Sequence, residues 1–178
     1  MGHKHAKDEI LAGALAVAIR DGLSRLSFGR VARQLGISDR TVVYYFPTKD
    51  TLISEVLTAV GLQLQRALAQ AISSAAPGHL GLLRTAWPIL AAPDADPVFA
   101  LFFEASGLAA AGRTPFDTIV PALVDGWVRW AADHIDGTPA QRRAEAEAAI
   151  ALIDGLLLFR QLAGAQRADR AARHLGIR

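Results

Sequence analysis

The chain has 178 residues and a formal net charge of +2, and 52% of its residues are hydrophobic. This length and composition can bury a sizeable core, which argues against wholesale disorder. The absence of cysteine excludes disulfides, thiolate metal sites and thiol nucleophiles, and it fits a cytoplasmic protein. No N-terminal stretch predicts a signal peptide, and no uncharged apolar run approaches the ~18 residues of a membrane span, so we expect no membrane partner.

The charge is distributed unevenly along the chain. Residues 1–49 contain eight Lys/Arg and four Asp/Glu, so their net charge is 8 − 4 = +4. Residues 50–178 contain eleven and thirteen, so their net charge is 11 − 13 = −2. This modest asymmetry predicts that the N-terminal part meets a polyanion.

The first elements in chain order predict a helix-turn-helix. After a polar end at residues 1–6, whose His3 and His5 we take as a frayed terminus rather than a metal site, apolar spacing predicts a helix over 7–21. Serines at N-cap positions predict short helices over 28–35 and 39–46, joined by a turn at Gly36 and ended by a proline. If Val42 and Phe46 point inward, then Arg40, Val43 and Tyr44 point outward, as contact with DNA bases and phosphates requires.

The remaining chain is also predicted to be helical. Apolar spacing predicts one long helix over 48–74 and further helices over 79–91, 97–111, 115–134, 139–163 and 166–175. No segment has the pattern of a hairpin, and no internal repeat is present. The fold class is therefore all-α, with a helix-turn-helix DNA-binding domain at 1–50 and a helical effector-binding and dimerisation domain at 51–178.

Residues 8–57 resemble the N-terminal domain of the tetracycline-repressor (TetR) family of transcriptional regulators. The motifs that carry the resemblance are Asp21-Gly22, Ser27 with Val31-Ala32, Leu35-Gly36-Ile37-Ser38, Thr41-Val42, Tyr44-Tyr45-Phe46-Pro47, Lys49 and Leu52. The spacing from Gly36 through Phe46 to Leu52 is the specific part. One departure concerns base recognition, because Val43 stands where the family often has an aromatic residue.

The resemblance implies a role for each residue of the DNA-binding surface. Asp39, Arg40 and Val43 would face base edges, and Gly29 would let the backbone approach DNA. Phosphate contacts are implied for Ser27, Arg30, Thr41, Tyr44, Tyr45 and Lys49. Tyr45 could equally be half buried in the core, and Asp39 could accept from cytosine or orient Arg40. Lys49 lies at a helix N-terminus, where backbone amides attract phosphate.

Aromatic residues of the C-terminal part predict a pocket for a small, largely apolar effector. The candidate ligand-binding residues are Arg84, Trp87, Phe99, Phe102, Phe103, Glu104, Trp127 and Trp130. Each aromatic could instead belong to an ordinary core. The two charged residues could lie on the surface or form structural pairs.

The predicted helix over 139–163 is apolar on nearly every face in its second half, so a second subunit is expected to cover one side. The resemblance implies that this helix and the next form a twofold four-helix dimer interface. Its candidate residues are Ile150, Ile153, Leu157, Leu158, Ala171 and Leu175. The alternative is a helix buried centrally in a monomer. Asp154 within the apolar run could line the pocket or pair with an arginine.

Together these features predict a homodimeric transcriptional repressor that binds a palindromic double-stranded DNA operator and is released by a small molecule. We expect no cofactor, no metal and no catalytic residues. One alternative is a DNA-binding dimer without an effector. The other is an all-helical enzyme using the aromatic pocket, against which the chain lacks recognisable catalytic motifs.

Overall fold

The computed structural model describes residues 7–178, and the expectation for residues 1–6 lies outside that range. Within it the chain forms α1 (Lys7–Asp21), α2 (Phe28–Leu35), α3 (Asp39–Tyr45), α4 (Lys49–Ala71), α5 (His79–Leu90), α6 (Asp96–Ala110), α7 (Phe116–Ala132), α8 (Pro139–Ala163) and α9 (Ala165–His174). The predicted all-α class is confirmed. Among these helices, none is sufficiently long and apolar to cross a membrane.

Side-chain caps fix the N-terminal ends of α2, α3, α4 and α8. Thr138 accepts from the backbone N–H of Gln141, whose side chain in turn accepts from the backbone N–H of Thr138, so α8 begins in a capping box. The long helix α4 ends at Ala71, three residues earlier than predicted. The chain beyond it is held by the loop after α7, since Ala76 N–H donates to the His134 carbonyl at 2.8 Å.

The buried side chains form two cores. The N-terminal core contains α1–α3, the start of α4 up to Leu57, and the facing ends of α6 and α7, including Leu101 and Phe116. The body core joins the later part of α4 to α5, α6, α7, α8 and α9. Both α4 and α6 contribute residues to both cores, so these helices connect the two parts of the molecule.

Ion pairs and hydrogen bonds fix α8 and α9 to the body. Arg160 of α8 is almost fully buried and donates from Nε and Nη2 to the two carboxylate oxygens of Asp96, at 2.6 and 2.9 Å. The buried indole of Trp87 donates to Asp169 of α9 at 3.1 Å. A buried arginine is tolerated only where its charge is balanced and its N–H donors are bound. The Asp96 carboxylate does both for Arg160.

Candidate DNA-binding surface and ligand cavity

The α2–turn–α3 unit is built by caps, one glycine and a buried apolar face. Ser27 and Ser38 accept hydrogen bonds from backbone N–H groups in the first turns of α2 and α3. Gly36 has φ +66°, a left-handed conformation that an L side chain would strain. Val42 and Phe46 are fully buried, as predicted from the helical phase. The opposite face of α3 is therefore the exposed one.

The exposed face of α3 presents the three residues that the helical phase predicts. Arg40 is exposed, Val43 is 40% exposed and Tyr44 is 77% exposed. An aromatic residue left this exposed, beside a guanidinium and an apolar group, is unusual for an ordinary solvated helix. The surface offers a donor for guanine, a methyl contact for thymine and a hydroxyl for phosphate. DNA contact by each of these residues stays a prediction.

Gly29 and Asp39 lie against one another across the α2–α3 turn. A Cβ atom on Gly29 would lie 3.3 Å from Asp39 Oδ2. The carboxylate thus sits at the N-terminal end of α2, where the helix dipole favours negative charge. This placement gives Gly29 a structural role beside the predicted approach to DNA. It also explains how Asp39 is accommodated on a surface expected to meet phosphates.

An ion-pair network lies between α1 and α2. Arg20 and Arg30 donate to the two carboxylate oxygens of Asp21, each at 2.9 Å, and Arg20 also donates to Gln34. The hydrogen bond from Arg20 is the main cause that lowers the pKa of Asp21 to about 2, and the bond from Arg30 adds to it against the effect of partial burial. Arg30 remains exposed, so its phosphate contact stays a prediction.

The other predicted phosphate ligands surround the two ends of α3. Thr41 is half-buried and its hydroxyl is within hydrogen-bond distance of Ser38. Tyr45 is half-buried and packs edge-on against Tyr44, with ring centroids 5.1 Å apart. Lys49 is exposed in the first turn of α4, and its Nζ lies 3.4 Å from the Ser24 carbonyl. These positions are compatible with a surface that follows a DNA backbone.

A cavity of about 940 Å³, counted with its opening to solvent, lies between α4, α5, α6, α7 and α8. Four of the predicted ligand residues line it, namely Phe99, Phe102, Trp127 and Trp130. The two indole rings are in edge-to-face contact at 5.5 Å. The walls are otherwise aliphatic, apart from one acidic residue.

Four other predicted ligand residues do not line this cavity, so a ligand contact for them stays a prediction. Arg84 donates from Nε to the Gly176 carbonyl at 2.7 Å, and the buried Trp87 donates to α9. Phe103 packs behind the cavity wall, with its ring 5.6 Å from that of Phe102. Glu104 faces the N-terminal core. Arg84, Trp87 and Glu104 bind parts of the chain distant in sequence, which helical spacing does not report.

Glu104 of α6 fastens the loop between α1 and α2. Its carboxylate accepts from the backbone N–H groups of Leu23 and Ser24, at 2.9 and 3.0 Å, and from the Ser24 hydroxyl at 2.8 Å. Partial burial acts to raise the pKa of Glu104, but these hydrogen bonds outweigh it and the pKa lies below its ordinary value. The role of Glu104 was missed because its partners lie about eighty residues earlier in the chain.

Asp154 lines the cavity, which decides between the two placements considered from the sequence. It lies on the same face of α8 as Ile150, Ile153 and Leu157, all of which line the cavity. Within the described part of the chain, no arginine pairs with it. Burial raises the pKa of Asp154 to about 6.

The outer face of α8 differs from the predicted interface. Ile150, Ile153 and Leu157 line the cavity, and half-buried Ala171 packs on the body core, so an interface role for these four residues stays a prediction. Leu158 and Leu175 are each 41% exposed, as an interface would require. The outer face of α8 comprises Ala148, Ala151, Gly155, Leu158, Phe159 and Leu162. Phe159 and Leu162, which were not predicted, are 42% and 78% exposed.

Comparisons with known proteins agree with this architecture. The family model for bacterial regulatory proteins of the tetR family matches residues 10–56. A TetR transcriptional regulator from Legionella pneumophila has a TM-score of 0.70 at 20% identity, over 98% of this chain and 97% of that one. A putative TetR-family transcriptional regulator from a Rhodococcus species has a TM-score of 0.74 at 17% identity, over 97% and 98%. The multidrug binding protein EbrR, complexed with imidazole, has a TM-score of 0.71 at 22% identity, over 98% and 93%. Among curated proteins, none matches this chain.

The matched segment and the structure coincide. Residues 10–56 span α1 to α3 and the first turns of α4, which together supply most of the N-terminal core. At the identities given, the solved structures establish the fold over the whole chain. The resemblance found in residues 8–57 is thereby confirmed. Residues 10–56 therefore match the tetR family of bacterial regulatory proteins, and the chain has the fold of the TetR-type transcriptional regulators to which it is similar.

Proposed function

We propose that the protein is a homodimeric repressor that binds a near-palindromic operator and is released when a small molecule enters the body cavity. In this proposal residues 1–50 bind DNA, and residues 51–178 hold the effector and form the dimer. The observation that carries it is the exposed face of α3, on which Arg40, Val43 and Tyr44 stand together. The net charge of +4 on residues 1–49 supports contact with a polyanion.

The outer face of α8 supports the dimer. Its exposed residues recur every three or four positions, so they form one continuous apolar stripe along the helix. Leu175 beyond the end of α9 adds a further exposed apolar side chain. Gly155 lies within the stripe with nothing within 4 Å of a Cβ placed on it, so a second helix can approach closely there. Twofold symmetry would place two copies of α3 in major grooves about one or more helical turns apart, roughly 34–36 Å per turn.

The contacts of α6 support a connection between the cavity and the DNA-binding surface. Phe99 and Phe102 of α6 line the cavity, and Glu104 of the same helix binds the α1–α2 loop. That loop leads into Ser27, the N-cap of α2. A ligand that displaces α6 would move this loop and change the spacing of the two recognition helices. Release then depends on the difference in ligand affinity between the two conformations, for which roughly 1–3 kcal/mol is typical.

EbrR supports a ligand role for the cavity by analogy, because that structural relative is described as a multidrug binding protein. The analogy concerns a cavity that accepts small molecules and transfers no particular ligand. The alternative is a DNA-binding dimer without an effector. It predicts that no compound changes both the melting temperature and the affinity for DNA.

Selection of bound sequences from a random DNA pool tests the function and reports the operator. The Arg40→Ala variant should then lose discrimination between operator and random DNA by about 5- to 150-fold at fixed salt, since a good base contact is worth about 1–3 kcal/mol. Arg66→Ala is the matched control, because it removes the same charge from an exposed position on α4 in the body. If Arg40→Ala and Arg66→Ala discriminate as well as the native protein, α3 is not the helix that recognises the operator.

A further inference from the structure

We propose that the body cavity selects apolar aromatic molecules that carry a positive charge, and that Asp154 binds this charge. The inference rests on the proposed function only in requiring that a small molecule enters the cavity. It narrows the effector from any largely apolar compound to an organic cation. Three observations lead to it.

The first observation is the position of Asp154. The cavity-facing residues of α8 are Ala149, Ile150, Ile153, Asp154 and Leu157, whose spacing of one, three and four places them on one helical face. Among the described residues that line the cavity, Asp154 is the only one with an ionisable side chain. A ligand in the cavity therefore meets a single carboxylate within apolar walls.

The second observation is that the carboxylate has no partner within residues 7–178. Arg160, the buried arginine of the same helix, is already paired with Asp96. No hydrogen bond or ion pair reaches Asp154, so its carboxylate oxygens are available to a ligand. An unpaired carboxylate in an apolar site costs free energy, and proteins seldom keep one without a partner. A positively charged group supplied by a ligand is the partner that fits.

The third observation is the aromatic wall. Trp127 and Trp130 line the cavity in edge-to-face contact, and Phe99 and Phe102 line it from α6. Tryptophan faces attract cations more strongly than other aromatic faces do, and the attraction grows when water is excluded. The same rings stack on an aromatic ligand. The cavity thus combines a carboxylate for the charge with rings for both the charge and the apolar body of the molecule.

A neutral ligand fits this site less well. It would exclude water from the carboxylate without replacing the lost hydration, and at pH 8 most of the Asp154 side chains are ionised because the pKa is about 6. An anion would add direct repulsion. A hard metal ion is disfavoured as well, since it requires several oxygen ligands and the lining offers one carboxylate.

The test uses three aromatic probes of similar shape and different charge. Tetraphenylphosphonium is a cation, triphenylphosphine oxide is neutral and tetraphenylborate is an anion. Binding to the full-length protein at pH 8 is measured by calorimetry and by quenching of tryptophan fluorescence. Tetraphenylphosphonium should bind at least about tenfold more tightly than either other probe, as expected for a close charge pair.

Two aspartate variants separate charge pairing from general effects. Asp154→Asn keeps the shape of the side chain and should weaken tetraphenylphosphonium binding by at least about tenfold, while binding of triphenylphosphine oxide changes by less than about threefold. Asp125→Asn removes the same charge from an exposed site on α7 outside the cavity and should leave all three affinities unchanged. A thermal unfolding curve establishes that each variant is folded.

Several results would overturn the inference. These are equal affinities for the cation and the anion, tight tetraphenylphosphonium binding by Asp154→Asn, or no binding of any probe. Operator affinity is measured separately with and without each bound probe. If neutral molecules release the operator as well as cations do, the charge preference is wrong and the proposed function stands. If cations bind through Asp154 without any change in operator affinity, the release mechanism fails and the charge preference stands.

Discussion

If the outer face of α8 forms the dimer interface, Leu162 should contribute most to the stability of the dimer. Its side chain is 78% exposed in the single subunit, more than any other large apolar residue described. The change Leu162→Ala removes three carbon atoms, which are worth about 2.4 kcal/mol at about 0.8 kcal/mol each if burial is complete. Scaling by the exposed fraction leaves about 1.9 kcal/mol that a partner subunit could contribute.

Twofold symmetry doubles this effect, because each subunit carries the change. The dimer should therefore lose up to about 3.7 kcal/mol, which corresponds to an increase of several hundredfold in the dimer dissociation constant. If a partner covers only half of the exposed surface, the increase is still about 20-fold. Sedimentation equilibrium over a range of protein concentrations measures this constant directly. The melting temperature of the monomer, measured at a protein concentration below the dissociation constant, should barely change.

Leu62→Ala is the matched control for Leu162→Ala. Leu62 is an exposed leucine on α4, with 46% of its surface accessible, and it lies outside the outer face of α8. The reasoning is refuted if Leu162→Ala changes the dissociation constant by less than about threefold, or if Leu62→Ala weakens the dimer equally. Leu157→Ala offers a further contrast. That side chain is 1% exposed, so its loss should lower the unfolding free energy by about 2–5 kcal/mol instead.

Two further predictions concern the carboxylates of the body. Glu104→Gln should reduce the stability by about 1–2 kcal/mol, because three hydrogen bonds lose their charged acceptor, and should reduce the effect of a bound ligand on operator affinity in a fluorescence anisotropy titration. If the ligand still changes operator affinity to the same extent in Glu104→Gln, the Glu104 contact does not transmit the effect of the ligand. Asp154→Asn should stabilise the fold by up to about 3 kcal/mol at pH 8, since the pKa of Asp154 is about 6 in the folded protein, against an ordinary value of 3.8 for the unfolded chain. Between these two pKa values the folded state binds more protons than the unfolded state, so the native protein loses this stability as pH rises from about 4 to 6. The unfolding free energies of the native protein and of Asp154→Asn, measured in urea, should therefore converge at low pH.

The N-terminal part of the fold could be predicted in detail because its signals are local. Ser27, Gly36 and Ser38 act on backbone groups within a few residues of themselves. Val42 and Phe46 fix the phase of α3, since the remaining residues of that helix are polar or exposed. Each of these features follows from spacing along one helix, and the structure agrees with each.

The phase of α8 could not be predicted because nearly every residue in its second half is apolar. Leu157 and Leu158 are adjacent and chemically identical, yet one is buried beside the cavity and the other is exposed. The spacing of apolar residues distinguishes the buried face of a helix from its exposed face only where polar residues occupy the exposed one. The charged residues in that stretch are Asp154, which lines the cavity, and Arg160, which is buried against Asp96, so neither marks the solvent-exposed face. The usual rule that charge indicates the outside therefore gives the wrong face here.

Partners distant in sequence explain why Arg84 and Glu104 do not line the cavity. Arg84 binds the Gly176 carbonyl, and Glu104 binds the loop at Leu23 and Ser24. Residue type alone left open whether the two charges lie on the surface or form structural pairs. It could not indicate that backbone groups would supply those partners, since any exposed N–H or carbonyl can do so.

The loop between α1 and α2 is the point at which two cavity-lining helices meet the DNA-binding surface. From α6, Glu104 accepts hydrogen bonds from the N–H and hydroxyl groups of Ser24, and from α4, Lys49 contacts the carbonyl of the same residue. Both helices also line the cavity, α4 through Leu64 and Leu68 and α6 through its phenylalanines. A ligand that separates α4 from α6 would therefore pull on Ser24 from two sides, three residues before the N-cap of α2. We expect coupling to require both contacts, so that the double variant Glu104→Gln with Lys49→Met loses no more coupling than Glu104→Gln alone.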